Sequence, residues 1–437
     1  MENKPKKDTK KPLVGFFPCF YSMGETIPLI KIAKSYMDMG GKAIFFSHGG
    51  DYEYLAEEIG CKVVKLNDIL ENLSAKGKHM FKTGGNLGQK FIKLYSKKII
   101  QRAVKEEINA FKKADVDMII SSFNLTGNIS ARAIKKTYIT VVSGVTIPPY
   151  YEAGLATFPD NHENLFTRFL PDSFKNRVLR WLLLHNIILV RKFNKIGKKY
   201  NVPKFKYFND ILLGDQTFVC DDINFLGLTP SEKFPADNFI GPIAGGKLFG
   251  GKQEDFDKDI VAHLKRPGKS IVIIMGSTGV KSLFLEIIDA LSKTDYNVIA
   301  AYTNLFEKEE LPKVGDNILF KKFIPFDSLL KHTDLPITHG GRGTIHQIAF
   351  SGKPAICIPM FLEHQGNVDN LVRQGSAIRL SKTYFKKDKL LQAIDEIFNN
   401  YEKYQKNAQK LAKSLENESG DIKAAKRIFE ILESYNN

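Results

Sequence analysis

The sequence predicts an α/β protein made of two similar domains, each on a parallel sheet, with a cleft between them. Three observations carry this. Short apolar runs alternate with helical patterns, the alternation halts in one Gly- and Pro-rich stretch, and it then starts afresh. A chain of 437 residues has length for two or three domains and a large core.

In the first half, LVGFFPCF (13–20) reads as a strand, Ile27 to Met39 repeats apolar residues at helical spacing, and KAIFFS (42–47) is again a strand. DYEYLAEEIG (51–60) reads as a helix ending at Gly60, followed by the strand CKVVKL. DMIISS (117–122), a helix near 126–135 and YITVV (138–142) continue the alternation. Two lysine-rich helical stretches, about 88–113 and about 174–200, interrupt it. The second holds the apolar patch WLLLHNIILV (181–190), which reads as a buried helix. The sharper alternative is an edge of an acceptor site, or a lipid-touching patch beside Arg180, Arg191 and Lys192.

Residues 227–251 carry no sustained periodicity and form the linker. Beyond it come the strands SIVIIMG (270–276), NVIAAY (297–302), ILFKKF (318–323), LPITHG (335–340) and PAICIPM (354–360), with a helix near 281–293. The predicted boundaries are a disordered basic tail at 1–12, domains at 13–240 and 241–417, and a last helix at 418–437 that crosses back to the first domain. Open parallel sheets bind ligands beyond the carboxyl ends of their strands, where Gly24 and the glycines after 335–338 fall.

Composition narrows the function classes. Hydrophobic content of 43% and charged content of 26% are ordinary for a soluble protein, and no apolar run is long enough to span a bilayer. The basic N-terminus leads into no signal-type segment. Cys19, Cys61, Cys220 and Cys357 make no metal or redox spacing and read as buried thiols of a cytoplasmic protein. The net charge of +16 suits an anionic partner, or reflects a lysine-biased composition. No zinc-finger or RRM-type motif supports nucleic acid.

The motif that carries chemistry is ITHGGRGTIHQ (337–347): a strand, three glycines around Arg342, then a helix from about Gly343 to Ser351. Unsatisfied N–H groups at a helix start favour an anion, and glycines let a phosphate approach the backbone. It is neither a dinucleotide fingerprint nor a P-loop, so neither hydride transfer nor ATP hydrolysis follows.

The longer stretch ITHGGRGTIHQIAFSGKPAICIPMFLEHQGNVDNLVRQGSA closely resembles the donor-binding signature of the UDP-glycosyltransferase family, inverting enzymes of the GT-B fold with two facing Rossmann-like domains. The matches are His339, Gly340, Gly341, Gly343, Thr344, Gly352, Pro354, Pro359, Glu363 and Asn367. FIGPI (239–243) and MGSTG (275–279) resemble the family's interdomain segment and first C-domain loop. The resemblance implies that His339, Gly341, Gly343 and Thr344 hold a diphosphate, with Ser277 adding a hydroxyl. Glu363 would accept from sugar hydroxyls and Asn367 would fix the phosphate side of the loop. Two positions depart: Gln347 replaces the usual ribose-gripping Glu, and His364 replaces the usual Gln. In that family backbone dipoles replace a metal on the leaving diphosphate, so neither metal nor cofactor is expected.

After the first strand the family carries Gly-His-x-x-Pro, whose His takes the acceptor proton; here Gly24-Glu25-Thr26-Ile27-Pro28 puts Glu25 there. A carboxylate can serve as base, or Glu25 is simply a first-turn acidic residue favoured by the helix dipole. The family's supporting Asp is replaced by Ser122, near Asn124; His48, after the second strand, is the alternative base, though it reads first as a surface-turn residue. The resemblance thus implies transfer of a hexose from a UDP-sugar, and the positive charge with the apolar patch near 181–190 points to a lipid or other hydrophobic alcohol as acceptor, in the cytoplasm or peripherally at an anionic membrane. Alternatives are a soluble aromatic or polyketide acceptor, and an inactive nucleotide-sugar-binding regulatory subunit. A UDP-sugar epimerase fits poorly, because the signature follows the transferase pattern.

Overall fold

A computed structural model describes residues 11–68, 95–164, 166–243, 256–276, 279–303, 305–415 and 419–434. Ser277, most of the basic tail and residues 88–94 of the first lysine-rich stretch lie outside the described residues.

The first sheet comprises β1 (Leu13–Pro18), β2 (Lys42–Ser47), β3 (Val63–Lys65), β4 (Met118–Ser122), β5 (Thr137–Val142) and β6 (Gln216–Val219). All its pairings are parallel, in the order β3-β2-β1-β4-β5-β6. The second comprises β7 (Ser270–Ile274), β8 (Asn297–Ala301), β9 (Ile318–Lys321), β10 (Leu335–Thr338), β11 (Ala355–Cys357) and β12 (Ala377–Arg379). It is also parallel, in the order β12-β11-β10-β7-β8-β9. Both therefore have the doubly wound arrangement, in which the winding reverses between β1 and β4 in one domain and between β7 and β10 in the other. Helices cover both faces, so central strands such as MIISS and LPIT are buried at every position.

The domains meet through side chains as well as the linker. The helix Leu362–Arg373 of the second domain receives the segment 144–160 of the first. Tyr150 donates to the Gly366 carbonyl at 3.3 Å, Thr157 to Asp369 at 2.5 Å, and Gln365 to Thr157 at 2.6 Å. The helix Gly420–Ser434 lies against the helix Met23–Asp38 and puts Ala424, Ala425 and Ile428 into the first domain's core. Tyr36 and Phe429 meet there with ring centroids 4.6 Å apart.

Four sequence expectations need correction. The first lysine-rich helix spans Lys97–Ala114. The second stretch is broken: one helix runs Asp172–Leu184, Leu189 adopts a left-handed conformation at φ 69°, and a second helix runs Val190–Gly197. Its apolar patch is only partly buried: Leu183, Leu184, Leu189 and Val190 pack inward, whereas Trp181, Leu182, Ile187 and Ile188 face outward. His48 is not a surface residue either. It is buried, with Nε2 2.8 Å from Glu107 and Nδ1 2.8 Å from the Asn67 carbonyl. Burial opposes its charge, but the Glu107 contact raises its pKa above the ordinary value. With both ring nitrogens engaged, His48 has none left to take an acceptor's proton.

Candidate active site at the domain interface

Each half of the site sits at a switch point. On the second domain, β7 leads to Gly276 and β10 to His339, side by side. The His339 ring is wedged between two glycines: a Cβ on Gly276 would lie 2.5 Å from its Cε1, and one on Gly341 would lie 2.7 Å from its Nε2. Gly340 turns the chain at φ +88°, and Asn367 donates to its carbonyl at 3.3 Å. Gly341 caps the helix Arg342–Ser351, which Gly352 ends at φ +65°. A Cβ on Gly343 would meet no protein atom within 4 Å, so the approach to the first helical turn is open there. Open N–H groups, the helix dipole and the Thr344 hydroxyl together suit a polyanion.

The histidines add no positive charge. Burial pushes His339 down to about 4, so its ring is neutral at neutral pH. His364 lies edge-on to it at 4.8 Å and against Phe361 at 3.7 Å, and burial lowers its pKa well below the usual value too. Its buried Nδ1 has no hydrogen-bond partner among the described residues. Gln347, one turn beyond Gly343, lines a groove of about 740 Å³ with Gly241, Asp327 and Lys331.

On the first domain, Glu25 occupies the first turn of Met23–Asp38 and accepts a hydrogen bond from Ser122 at the end of β4. Asn124 donates to the Phe17 carbonyl at 2.8 Å, so it supports the strand.

Arg342 joins the halves. Its Nη2 donates to the Gly24 carbonyl at 2.5 Å, while its buried Nη1 has no hydrogen-bond partner among the described residues. Burial works against its charge, but the carboxyl groups of Glu25, Glu363 and Asp221 hold the guanidinium protonated beyond its ordinary strength. Glu363, in the first turn of Leu362–Arg373, is pushed up to about 7 by burial; Arg342 opposes this, and Glu25 and Asp221 add to it. Asp221 follows β6 and is fully buried, accepting from the Gly144 N–H and meeting His346 Nε2, both at 2.7 Å. The structure thus brings Glu25, Glu363, His339, Gly341, Gly343, Thr344, His364 and Asn367 to the facing ends of the two sheets, with Gln347 one turn further along. Sequence reasoning missed Arg342 and the Asp221–His346 pair. The only local signal was a cation inside a glycine turn.

Residues 270–427 match the model of the glycosyltransferase family 28 C-terminal domain. The chain is 34% identical over 234 residues to UDP-glucuronosyltransferase 2B15 of Rattus norvegicus, covering 52% of this chain and 44% of that one. It is 23% identical over 327 residues to 2-hydroxyacylsphingosine 1-beta-galactosyltransferase of Homo sapiens, covering 72% and 58%. The chain is thus similar to UDP-glycosyltransferases, and its residues 270–427 carry the likeness to the family 28 C-terminal domain. It spans about half the length of these curated relatives. Among solved structures, the glycosyltransferase of kitacinnamycin superposes with a TM-score of 0.67 at 17% identity, covering 96% of this chain and 98% of that one. Spinosyn forosaminyltransferase superposes at 0.65 and 14% identity, covering 97% and 100%. At such identities the likeness concerns the fold, which is GT-B.

Proposed function

We propose that this chain transfers a hexose from a UDP-sugar to a hydroxyl of a lipid or other hydrophobic acceptor, with inversion at the anomeric carbon. The observation that carries the reading is the pairing of a carboxylate, Glu25, at one switch point with an anion-suited helix start at the other, joined by Arg342.

The chemistry is a single displacement. Glu25 takes the acceptor's proton as its oxygen bonds to the anomeric carbon, and the bond from that carbon to the diphosphate breaks with its electron pair. The departing charge is met by the N–H groups of residues 341–344, the helix dipole and the Thr344 hydroxyl, and backbone donors do this without a metal. Neutral His339 gives a ring N–H, Asn367 holds the turn, Ser277 adds a hydroxyl, and Gln347 contacts the ribose. Glu363 accepts from sugar hydroxyls beside His364.

A lipid acceptor is supported by the outward apolar patch at 181–188 and the net charge of +16. The name of the human relative, a 2-hydroxyacylsphingosine galactosyltransferase, points to the same acceptor class. The proposed setting is the cytoplasmic face of a membrane.

The test is twofold. UDP-sugars should stabilise the protein against heat more than dTDP- or GDP-sugars do. Glu25→Gln should lower turnover by roughly 10²- to 10⁴-fold with UDP binding retained. Unchanged turnover removes Glu25 as base, and UDP binding with no transfer by the native chain favours a regulatory subunit.

A further inference from the structure

The helix Asp172–Leu184 has three faces. Lys175, Leu179 and Leu183 turn inward: Lys175 is buried and bonded to Glu163 at 2.5 Å, and the leucines pack on the core around Val145 and Tyr150. Phe174, Val178, Trp181 and Leu182 form a stripe that is apolar yet faces solvent. Between these, Ser173, Asn176, Arg177 and Arg180 line a groove of about 480 Å³ closed by Gly154.

Further exposed apolar side chains flank the helix in sequence. Phe166 and Phe169, 88% and 83% exposed, precede the helix, and Ile187, 59% exposed, follows it. So many large apolar side chains together are unusual on a soluble surface. Charge limits what can cover them: residues 166–200 contain nine Lys and Arg against one acid, Asp172, which Lys175 engages at 2.7 Å. A second copy would bring the same positive charge. An anionic bilayer offers an apolar interior to the stripe and phosphates to the arginines.

We infer that residues 166–188 dock on an anionic phospholipid bilayer, with Phe166, Phe169, Trp181 and Ile187 entering the headgroup boundary and Arg177 and Arg180 taking a lipid phosphate in their groove. Docking rests on the lipid-acceptor reading for its use, but membrane contact can be read without turnover, so either fails alone.

Trp181 is the one tryptophan of the chain and is 60% exposed, which makes it a direct probe. With vesicles of phosphatidylcholine and phosphatidylglycerol, its emission should move to shorter wavelength and the protein should sediment, less so at high salt. Phe166→Ser with Phe169→Ser should abolish sedimentation, and Arg177→Gln with Arg180→Gln should weaken it by roughly tenfold or more. Both variants should keep the native thermal midpoint, UDP binding and turnover of a detergent-dispersed acceptor. No emission shift, or equal binding to pure phosphatidylcholine, overturns docking and leaves glycosyl transfer standing. A shift that grows with protein concentration without vesicles also overturns it, by revealing a second copy on the stripe.

Discussion

Arg342 donates to the carbonyl oxygen of Gly24, 318 residues away, and so ties the phosphate-side turn to the helical turn that carries Glu25. The bond is made by a side chain that is only 7% exposed and sits among acidic groups of both domains. One guanidinium therefore joins the two halves of the site and acts on the charge state of its carboxylates.

Arg342→Gln should destabilise the fold by about 3 kcal/mol, because buried acids lose their counter-charge. Glu363, already held near 7, should move higher once the cation that lowers it is gone. The acid limb of kcat/KM against pH should shift upward. Arg342→Lys should restore the pH profile more than the stability, since it keeps the charge but loses the guanidinium fork. An unmoved acid limb in Arg342→Gln would count against this coupling.

The Glu363 carboxyl holds its proton more tightly folded than unfolded, from an ordinary 4.5 up to about 7. Its stability contribution is complete below 4.5 and is lost as pH rises through about 7. Glu363→Gln should therefore be more stable than the native chain near pH ~8, on the order of 2 kcal/mol, with the gap closing near pH ~4. Urea unfolding midpoints across that range measure it.

Two glycines of one turn should behave oppositely. Gly341→Ala would press its Cβ on His339, which Gly276 prevents from retreating, at a cost of about 2 kcal/mol. Gly343→Ala meets no protein atom and lies in a helical first turn, so its thermal midpoint should hold or rise. It should still lose most of the stabilisation that UDP confers, because the methyl would occupy the approach to the backbone. Full UDP stabilisation of Gly343→Ala would move the diphosphate elsewhere.

His346→Ala should cost about 3 kcal/mol, since Asp221 is fully buried and, among the described residues, keeps only the Gly144 N–H as a hydrogen-bond donor. Calorimetry of the pair, with Asp221→Asn as the second arm, should give costs well short of additive.

Much of the fold was legible in the chain. Central parallel strands are buried on both faces, so 13–20 and 335–338 stand out as continuous apolar runs, and 42–47 does so over Ala43 to Phe46. The turn after β10 was legible too, because glycine is forced where a histidine ring and a helix start crowd the backbone. Periodicity also marked 174–200 as apolar and helical, but it does not say which side a helix face meets. The protein covers Leu179 and Leu183 and leaves Phe174 and Trp181 outside.

By itself, then, the sequence determined two doubly wound domains and an anion-suited helix start, because these depend on local spacing and backbone freedom. Only the tertiary structure decided that His48 is locked by Glu107, that Asp221 meets His346, and that Arg342 reaches Gly24. Those are buried polar groups whose partners lie far along the chain. Desolvation makes each pairing obligatory once folded, and no short-range pattern encodes it.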